Sequence, residues 1–174
     1  MAEIEQASQG RRNSPRPAVI VVLDNVRSMS NVGSVFRTCD AFGVDELWLC
    51  GITPTPPHRD IHKTALGATE TVRWRHFATI QEAIEEGRKG GRAIFAVEQA
   101  AGSTSLEKAA ALFMAPLLLF FGNEVNGVSD DVLDVADGCI EIPQVGAKHS
   151  LNISVSVGVI LWEAVRADAA TLRP

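Results

Sequence analysis

The residues best placed for chemistry follow two short apolar stretches in the second half of the chain. The apolar run Leu117–Phe121 stops at a glycine-containing turn that holds Glu124, and a later strand ends at Pro143, followed by Ser150 and Asn152. Such positions favour a pocket, because ligands of open parallel sheets bind beyond the carboxyl ends of the strands. No glycine pattern here fits a phosphate-binding loop or a dinucleotide fingerprint. Ordinary turns between strands and helices explain the same residues equally well.

A helix in the first half of the chain carries a further candidate, Arg37. The helix is predicted to begin with Ser30 or Asn31 as its cap and to end near Phe42. Gly33 in its first turn weakens the helix by roughly 1 kcal/mol relative to Ala, which indicates that something approaches the backbone closely there. Arg37 falls opposite the apolar face, so on its own it is explained as a solvated surface arginine. The apolar face comprises Val32, Val35, Phe36, Cys39 and Phe42.

A cluster of basic side chains lies in the long loop after the second predicted strand. His58, Arg59, His62 and Lys63 occupy four of six consecutive positions. A loop of this composition suits contacts with nucleic-acid phosphates. The two histidines are not interpreted as metal ligands, because no third ligand has suitable spacing.

Hydrophobic periodicity predicts the elements that position these residues. Strands are expected over residues 18–23, 45–50, 71–75, 92–97, 117–121 and 139–142. Helices are expected over residues 31–42, 79–88 and 103–111, after the cap Ser129, and from 150 to about 166. The last helix is apolar or small nearly all round, as expected for a buried helix.

The composition indicates one globular domain in a reducing compartment. The length of 174 residues suits a single core, predicted over residues 17–174, with residues 1–16 as a flexible polar tail or, alternatively, a basic arm.

No apolar run is long enough to cross a membrane, and the first residues do not resemble a secretory signal, so a cytoplasmic location is expected. The net charge of −5 argues against indiscriminate nucleic-acid binding, although the acidic excess lies in the second half. Three scattered cysteines are interpreted as reduced.

Three separated segments resemble the sequence motifs of the SpoU (TrmH-type) RNA ribose 2'-O-methyltransferases of the SPOUT superfamily. The resemblance extends from about Pro17 to Arg166, and the motifs occur in the family's order and spacing. The segments are Asn31–Val44; Phe121–Glu124 with Gly127–Ser129; and Ile142–Pro143 with Ser150–Val155 and Leu161–Glu163.

The resemblance implies a fold and an assembly. The fold is α/β, a parallel sheet in a three-layer α/β/α arrangement whose C-terminal part forms a trefoil knot. Chain physics alone predicts the opposite, because true knots are nearly absent from proteins. The final helix is expected to pack in a homodimer interface, where the small residues Ser154, Ser156 and Gly158 allow close approach.

The resemblance also implies a cofactor and roles for individual residues. S-adenosylmethionine is expected to need no metal ion, because its methyl sulfonium is already a strong electrophile. Arg37 is interpreted as a clamp on phosphate and developing oxyanion rather than a base, since a guanidinium has a pKa above about 12. Asn31 would orient Arg37 or the ribose, and Glu124, Ser150 and Asn152 would hold the loops. Cofactor contacts are expected from Val97, Glu98, Gly122, Asn123, Ile142, Leu151 and Asn152, and RNA contacts from Arg37, Arg59, His62 and Lys63.

Two classes of RNA substrate are compatible with the resemblance. tRNA is favoured and ribosomal RNA is the alternative, and the length is closest to the minimal members that methylate the anticodon wobble ribose. Val125 and Gln144 replace the glycine and methionine that are common in the family, but neither change removes a functional group. A nucleotide-binding α/β domain, or a related fold that binds RNA without catalysis, stays open as an alternative.

Overall fold

A computed structural model describes residues 18–147 and 150–167, and within these ranges seven strands form one sheet. The strands are β1 (Val19–Asp24), β2 (Glu46–Cys50), β3 (Trp74–Phe77), β4 (Ala93–Val97), β5 (Thr104–Ser105), β6 (Leu117–Phe121) and β7 (Gly138–Glu141). Their order in the sheet is β3-β2-β1-β6-β4-β7-β5, and all neighbours are parallel. The predicted α/β class with a parallel sheet is confirmed.

Helices cover both faces of this sheet. They are α1 (Met29–Phe42), α2 (Arg59–Ala65), α3 (Ile80–Lys89), α4 (Asp130–Leu133) and α5 (Ile153–Ala167). Buried side chains of α1, α2 and α5 share one core with one face of β1 and β6, and those of α3 and α4 share a second core with the other face. The molecule therefore has three layers, and its central strands are apolar on both sides because both sides are covered.

The three central strands of the sheet end at the same level. β6 lies between β1 and β4, and Phe121 is in register with both Leu23 and Val97. The loops that follow these three strands therefore leave the sheet at the same edge, where ligands of such sheets bind.

Helix α1 begins earlier than its sequence indicated. The cap is Ser28, whose Oγ accepts a hydrogen bond from the Asn31 N–H at 3.2 Å, rather than Ser30 or Asn31. Several neighbouring polar residues could cap this helix, and sequence alone does not choose between them. The close approach predicted at Gly33 is made by α2, because an added β-carbon would lie 2.1 Å from Thr64 Oγ1 and 2.3 Å from the Ile61 carbonyl oxygen.

Three other element predictions were wrong in detail. The basic loop is the short helix α2, with His58 as its cap. The strand predicted over 71–75 runs over Trp74–Phe77, because a 3₁₀ turn at Ala68–Glu70 occupies the preceding residues. The surface helix predicted over 103–111 is strand β5 followed by two 3₁₀ turns, since the backbone there hydrogen-bonds to β7 and makes β5 an edge strand of the sheet.

Helix α5 is buried on one side only. Ile153, Val157 and Leu161 are buried, whereas Val155 and Val159 are exposed. Trp162 is 53% exposed on the same side, so the prediction of a helix buried all round does not hold for the single chain. The trefoil knot stays a prediction, and the proposed tail, residues 1–16, lies outside the described residues.

No helix in the described ranges is both long and apolar enough to span a membrane.

Candidate active site

A cleft of about 660 Å³ opens at the carboxyl ends of β4, β6 and β7. This volume suits a ligand of drug or cofactor size. The cleft is lined by residues 97–99, 121–127, 140, 142, 144, 150–153 and 156.

The cleft contains every residue predicted to contact the cofactor. Of the residues predicted to hold the loops, Glu124, Ser150 and Asn152 also lie in its lining. The cofactor set is Val97, Glu98, Gly122, Asn123, Ile142, Leu151 and Asn152. The structure thus brings together residues that are up to 55 positions apart in the sequence, while their contact with a cofactor stays a prediction.

A chain of three side chains connects the predicted motifs at the edge of the cleft. Asn31 donates a hydrogen bond from Nδ2 to Glu124 Oε1 at 2.9 Å. Its Oδ1 accepts a hydrogen bond from Asn152 Nδ2 at 3.1 Å. The first turn of α1, the loop after β6 and the start of α5 are therefore held together by one amide side chain that acts as both donor and acceptor.

Asn152 also caps the start of α5. Its Oδ1 accepts hydrogen bonds from the backbone N–H and the hydroxyl of Ser154, at 2.9 and 2.7 Å. An amide oxygen in this position satisfies an N–H that the first turn of a helix would otherwise leave free. Ser150, predicted to act beside Asn152, is exposed and makes no side-chain hydrogen bond to another residue of the described part.

The loop after β6 is a closed ring. Asn123 and Gly127 exchange two backbone hydrogen bonds of 3.1 Å each. Asn123 Oδ1 also accepts hydrogen bonds from the N–H groups of Val125 and Asn126, at 2.9 and 2.8 Å. Because the ring is closed by its own backbone and one amide, its tip, which includes Glu124, has little freedom relative to its base.

Gly122 is required by this ring. A β-carbon on Gly122 would lie 1.8 Å from the carbonyl carbon of Gly127 and 2.0 Å from the N atom of Val128. A side chain at position 122 would therefore collide with the protein's own backbone.

Arg37 does not lie in the cleft. It is exposed on α1, makes no hydrogen bond or ion pair to another described residue, and is absent from the cleft lining. It follows Asn31 by six residues, which corresponds to about 9 Å along the helix axis. Its neighbour Thr38 contacts α5, with 3.9 Å between Thr38 Cγ2 and a β-carbon built on Gly158. Arg37 is thus available to a molecule that approaches the surface formed by α1 and α5.

The basic residues of α2 are exposed on the same side of the sheet as α1. Arg59 and His62 are exposed, and Lys63 Nζ lies 3.0 Å from Asp60 Oδ1. The hydrogen bond from Lys63 holds the pKa of Asp60 below its usual range. Within residues 18–147 and 150–167, no three His, Cys, Asp or Glu side chains are grouped so that they could hold a metal ion.

Several lining residues were not predicted to line the site. Gln99 and Asn126 line the cleft, and Gln144 and Ser156 complete it. Gln99 and Gln144 could have been found because each follows the end of a strand that faces the cleft. Ser156 could not, since its position depends on how α5 is placed against β6.

The three cysteines are free. Burial, together with the nearby carboxylates of Asp24 and Glu82, raises the pKa of the Cys50 thiol to about 12. Burial, assisted by the nearby carboxylates of Asp40 and Glu98, also raises the pKa values of Cys39 and Cys139. All three thiols are therefore protonated near neutral pH and are poor nucleophiles.

Comparison with known proteins gives a family match over most of the chain. The model of the SpoU rRNA Methylase family matches residues 18–162. The tRNA (guanosine(18)-2'-O)-methyltransferase of Thermus thermophilus is 33% identical over 151 residues, which cover 87% of this chain and 76% of that protein.

Two solved structures resemble the whole fold. The TrmH/SpoU tRNA modifying enzyme of A. aeolicus superposes with a TM-score of 0.82 at 28% identity, covering 100% of this chain and 89% of the other. An AdoMet-bound rRNA methyltransferase from Sinorhizobium meliloti gives a TM-score of 0.77 at 29% identity, covering 90% of this chain and 59% of the other.

Proposed function

Because the chain belongs to the SpoU rRNA Methylase family, we propose that it transfers the methyl group of S-adenosylmethionine to a ribose 2'-hydroxyl of structured RNA, with tRNA as the favoured substrate. The observation that carries this proposal is the hydrogen-bond chain Asn152–Asn31–Glu124. It joins the three motif segments at the edge of one cleft of cofactor size. Ligand orientation is what this reaction requires, since the sulfonium supplies the electrophile and the enzyme must align the hydroxyl with it.

The charge of the cleft supports a cationic cofactor. Among its described lining residues, Glu98 and Glu124 are charged, and there is no Lys, Arg or His. S-adenosylmethionine carries a permanent positive charge on sulfur, which such a lining attracts. A nucleotide phosphate would be repelled by the same residues, so the cleft disfavours the alternative of a nucleotide-binding domain.

Arg37 acts, in this proposal, from outside the cofactor cleft. An exposed guanidinium that pairs with no described residue is available to bind a phosphate in bidentate geometry. Bound there, it holds the neighbouring ribose near the cleft and stabilises negative charge that develops on the 2'-oxygen. Asn31, Glu124 and Asn152 position the loops, and Ser150 lies at the rim of the cleft, open to the substrate.

The RNA approaches the α1–α2 side of the sheet. Arg37, Arg59, His62 and Lys63 are exposed there, whereas the opposite face carries the acidic residues Glu85, Asp131 and Asp134 around a shallow hollow. Phosphate backbones favour the first face and are repelled by the second. The Thermus relative is named for a tRNA nucleoside, which supports tRNA, and the Sinorhizobium structure is of an rRNA methyltransferase, which keeps ribosomal RNA as the second candidate.

The active form is proposed to be a homodimer that pairs through α5. Val155, Val159 and Trp162 recur on one side of this helix and are exposed in the single chain. An exposed apolar patch of this kind is typical of an interaction surface. The knot and a cytoplasmic location are part of the same proposal, and the free cysteines are consistent with a reducing compartment.

Transfer of a labelled methyl group to purified RNA fractions tests this function. The protein is incubated with S-adenosylmethionine labelled in the methyl group and with unmodified tRNA or unmodified ribosomal RNA. We expect label in the tRNA fraction, and label in the ribosomal fraction alone would select the alternative substrate. Cofactor binding with no transfer to any RNA would contradict the proposed catalysis.

A further inference from the structure

Two acidic side chains flank the base of the loop between β6 and α4. Leu23 of β1 and Val97 of β4 are both in register with Phe121 of β6. The residue that follows each of them, Asp24 and Glu98, therefore lies on either side of the start of this loop. The loop returns to the sheet between the two carboxylates.

Each carboxylate accepts a hydrogen bond from the returning backbone. Glu98 Oε2 accepts from the N–H of Val128 at 3.2 Å. Asp24 Oδ2 accepts from the N–H of the next residue, Ser129, at 3.1 Å. A β-carbon on Gly127 would lie 2.3 Å from Glu98 Oε2, so the carboxylate fills the space beside the loop.

Asp24 is buried and has no positive partner among residues 18–147 and 150–167. It is 1% exposed, and neither it nor Glu98 forms an ion pair with a described residue. Its second oxygen, Oδ1, accepts a hydrogen bond from Asn25 Nδ2 at 2.8 Å. A buried carboxylate is costly unless it is hydrogen-bonded, and both oxygens of Asp24 are used to hold N–H groups.

The base of the loop determines where its tip lies. The ring from Asn123 to Gly127 is closed by two backbone hydrogen bonds, and its tip carries Glu124, which accepts the hydrogen bond from Asn31. A shift of the base is therefore passed to the hydrogen-bond chain at the edge of the cleft. Asp24 itself does not line the cleft.

We propose that Asp24 and Glu98 clamp the consecutive amides of Val128 and Ser129, and that Asp24 is a positioning residue for methyl transfer. The role in methyl transfer rests on the proposed function, whereas the clamp is a property of the free protein. Asp24 acts through the loop and has no contact with the cofactor.

Substitution of Asp24 by asparagine tests the clamp. Asparagine keeps the shape but has one acceptor for two donors, Asn25 Nδ2 and the Ser129 N–H, so the hydrogen bond to each donor is weakened. We expect the Ser129 amide of Asp24→Asn to exchange with deuterium about tenfold faster in the cofactor-free protein, and S-adenosylmethionine to bind about tenfold more weakly.

A matched control separates positioning from general stability. Asp45 pairs with Arg92 at 3.0 Å at the opposite edge of the sheet, so Asp45→Asn removes a structural carboxylate far from the loop. We expect Asp45→Asn to lower the melting temperature and leave cofactor affinity unchanged. If Asp24→Asn behaves in the same way, with normal Ser129 exchange and normal affinity, the proposal is overturned.

A second variant covers the case in which Asp24→Asn does not fold. Glu98→Ala removes both carboxylate oxygens on the more accessible side of the clamp, so the Val128 amide should exchange faster without cofactor. Unchanged Val128 exchange would overturn the clamp. Absence of cofactor binding by the wild-type protein would instead overturn the proposed function, because the exchange measurement does not depend on a ligand.

Discussion

Asn31 is the residue on which the hydrogen bonds of the cleft converge. Its amide uses the donor toward Glu124 and the acceptor toward Asn152, so neither aspartate nor leucine of similar size could serve both neighbours. The partners lie 93 and 121 positions away in the sequence. Composition and spacing alone do not reveal such contacts, and only the motif resemblance brought these residues together before the fold was known.

Arg37 is the residue whose role is most open to experiment. Because it is exposed and outside the cleft, Arg37→Ala should leave S-adenosylmethionine affinity nearly unchanged. Loss of an oxyanion contact should lower the methyl-transfer rate by about 10²–10³-fold. Arg37→Lys keeps the charge without the planar fork, so a clamp predicts measurable activity well above that of the alanine variant. Single-turnover rates at saturating RNA measure both.

The methyl-transfer rate of Arg37→Lys distinguishes a clamp on phosphate and oxyanion from a general base. Equal inactivity of the lysine and alanine variants would indicate that the guanidinium acts as a base in a fixed geometry. Wild-type rates in the alanine variant would remove Arg37 from the mechanism.

The loop after β6 needs glycine at position 122, because a β-carbon there would collide with the loop's own backbone. We predict that Gly122→Ala lowers the free energy of unfolding by about 1–3 kcal/mol, the usual cost of overpacking, and weakens cofactor binding. The reason is the 1.8 Å separation between an added β-carbon and the Gly127 carbonyl carbon. Denaturant unfolding and calorimetry measure the two effects.

Gly146→Ala is the matched control for that substitution. A β-carbon built on Gly146 has no neighbouring atom within 4 Å, so stability and affinity should both stay at the wild-type values. A Gly122→Ala protein with wild-type stability would mean that the loop adopts another conformation than the one described.

Strands and helices could be predicted where the local sequence pattern is compatible with only one kind of element. The uninterrupted apolar run of β6 has one explanation, a strand covered on both faces, and the structure confirms it. The start of α1 was not predictable because Ser28 and Ser30 are both good caps. The segment after β4 was misjudged as a helix, since the hydrogen bonds that make β5 come from β7, more than thirty residues later.

The whole molecule presents an apolar stripe on α5 that a second copy would cover. We predict that the native protein sediments as a dimer at micromolar concentration. Val159→Arg should give a monomer, because it would bury an unpaired charge in the interface. Val135→Arg, an exposed position on the other face of the sheet, should stay dimeric. A native protein that sediments as a monomer would refute the assembly.

We predict that the protein methylates a ribose and not a base. A methyl group on the 2'-oxygen removes the nucleophile that cleaves the adjacent phosphodiester bond in alkali. Alkaline hydrolysis of tRNA labelled by the wild-type protein should therefore leave the label in an alkali-resistant dinucleotide. Label recovered in mononucleotides, as a methylated base gives, would contradict the claim.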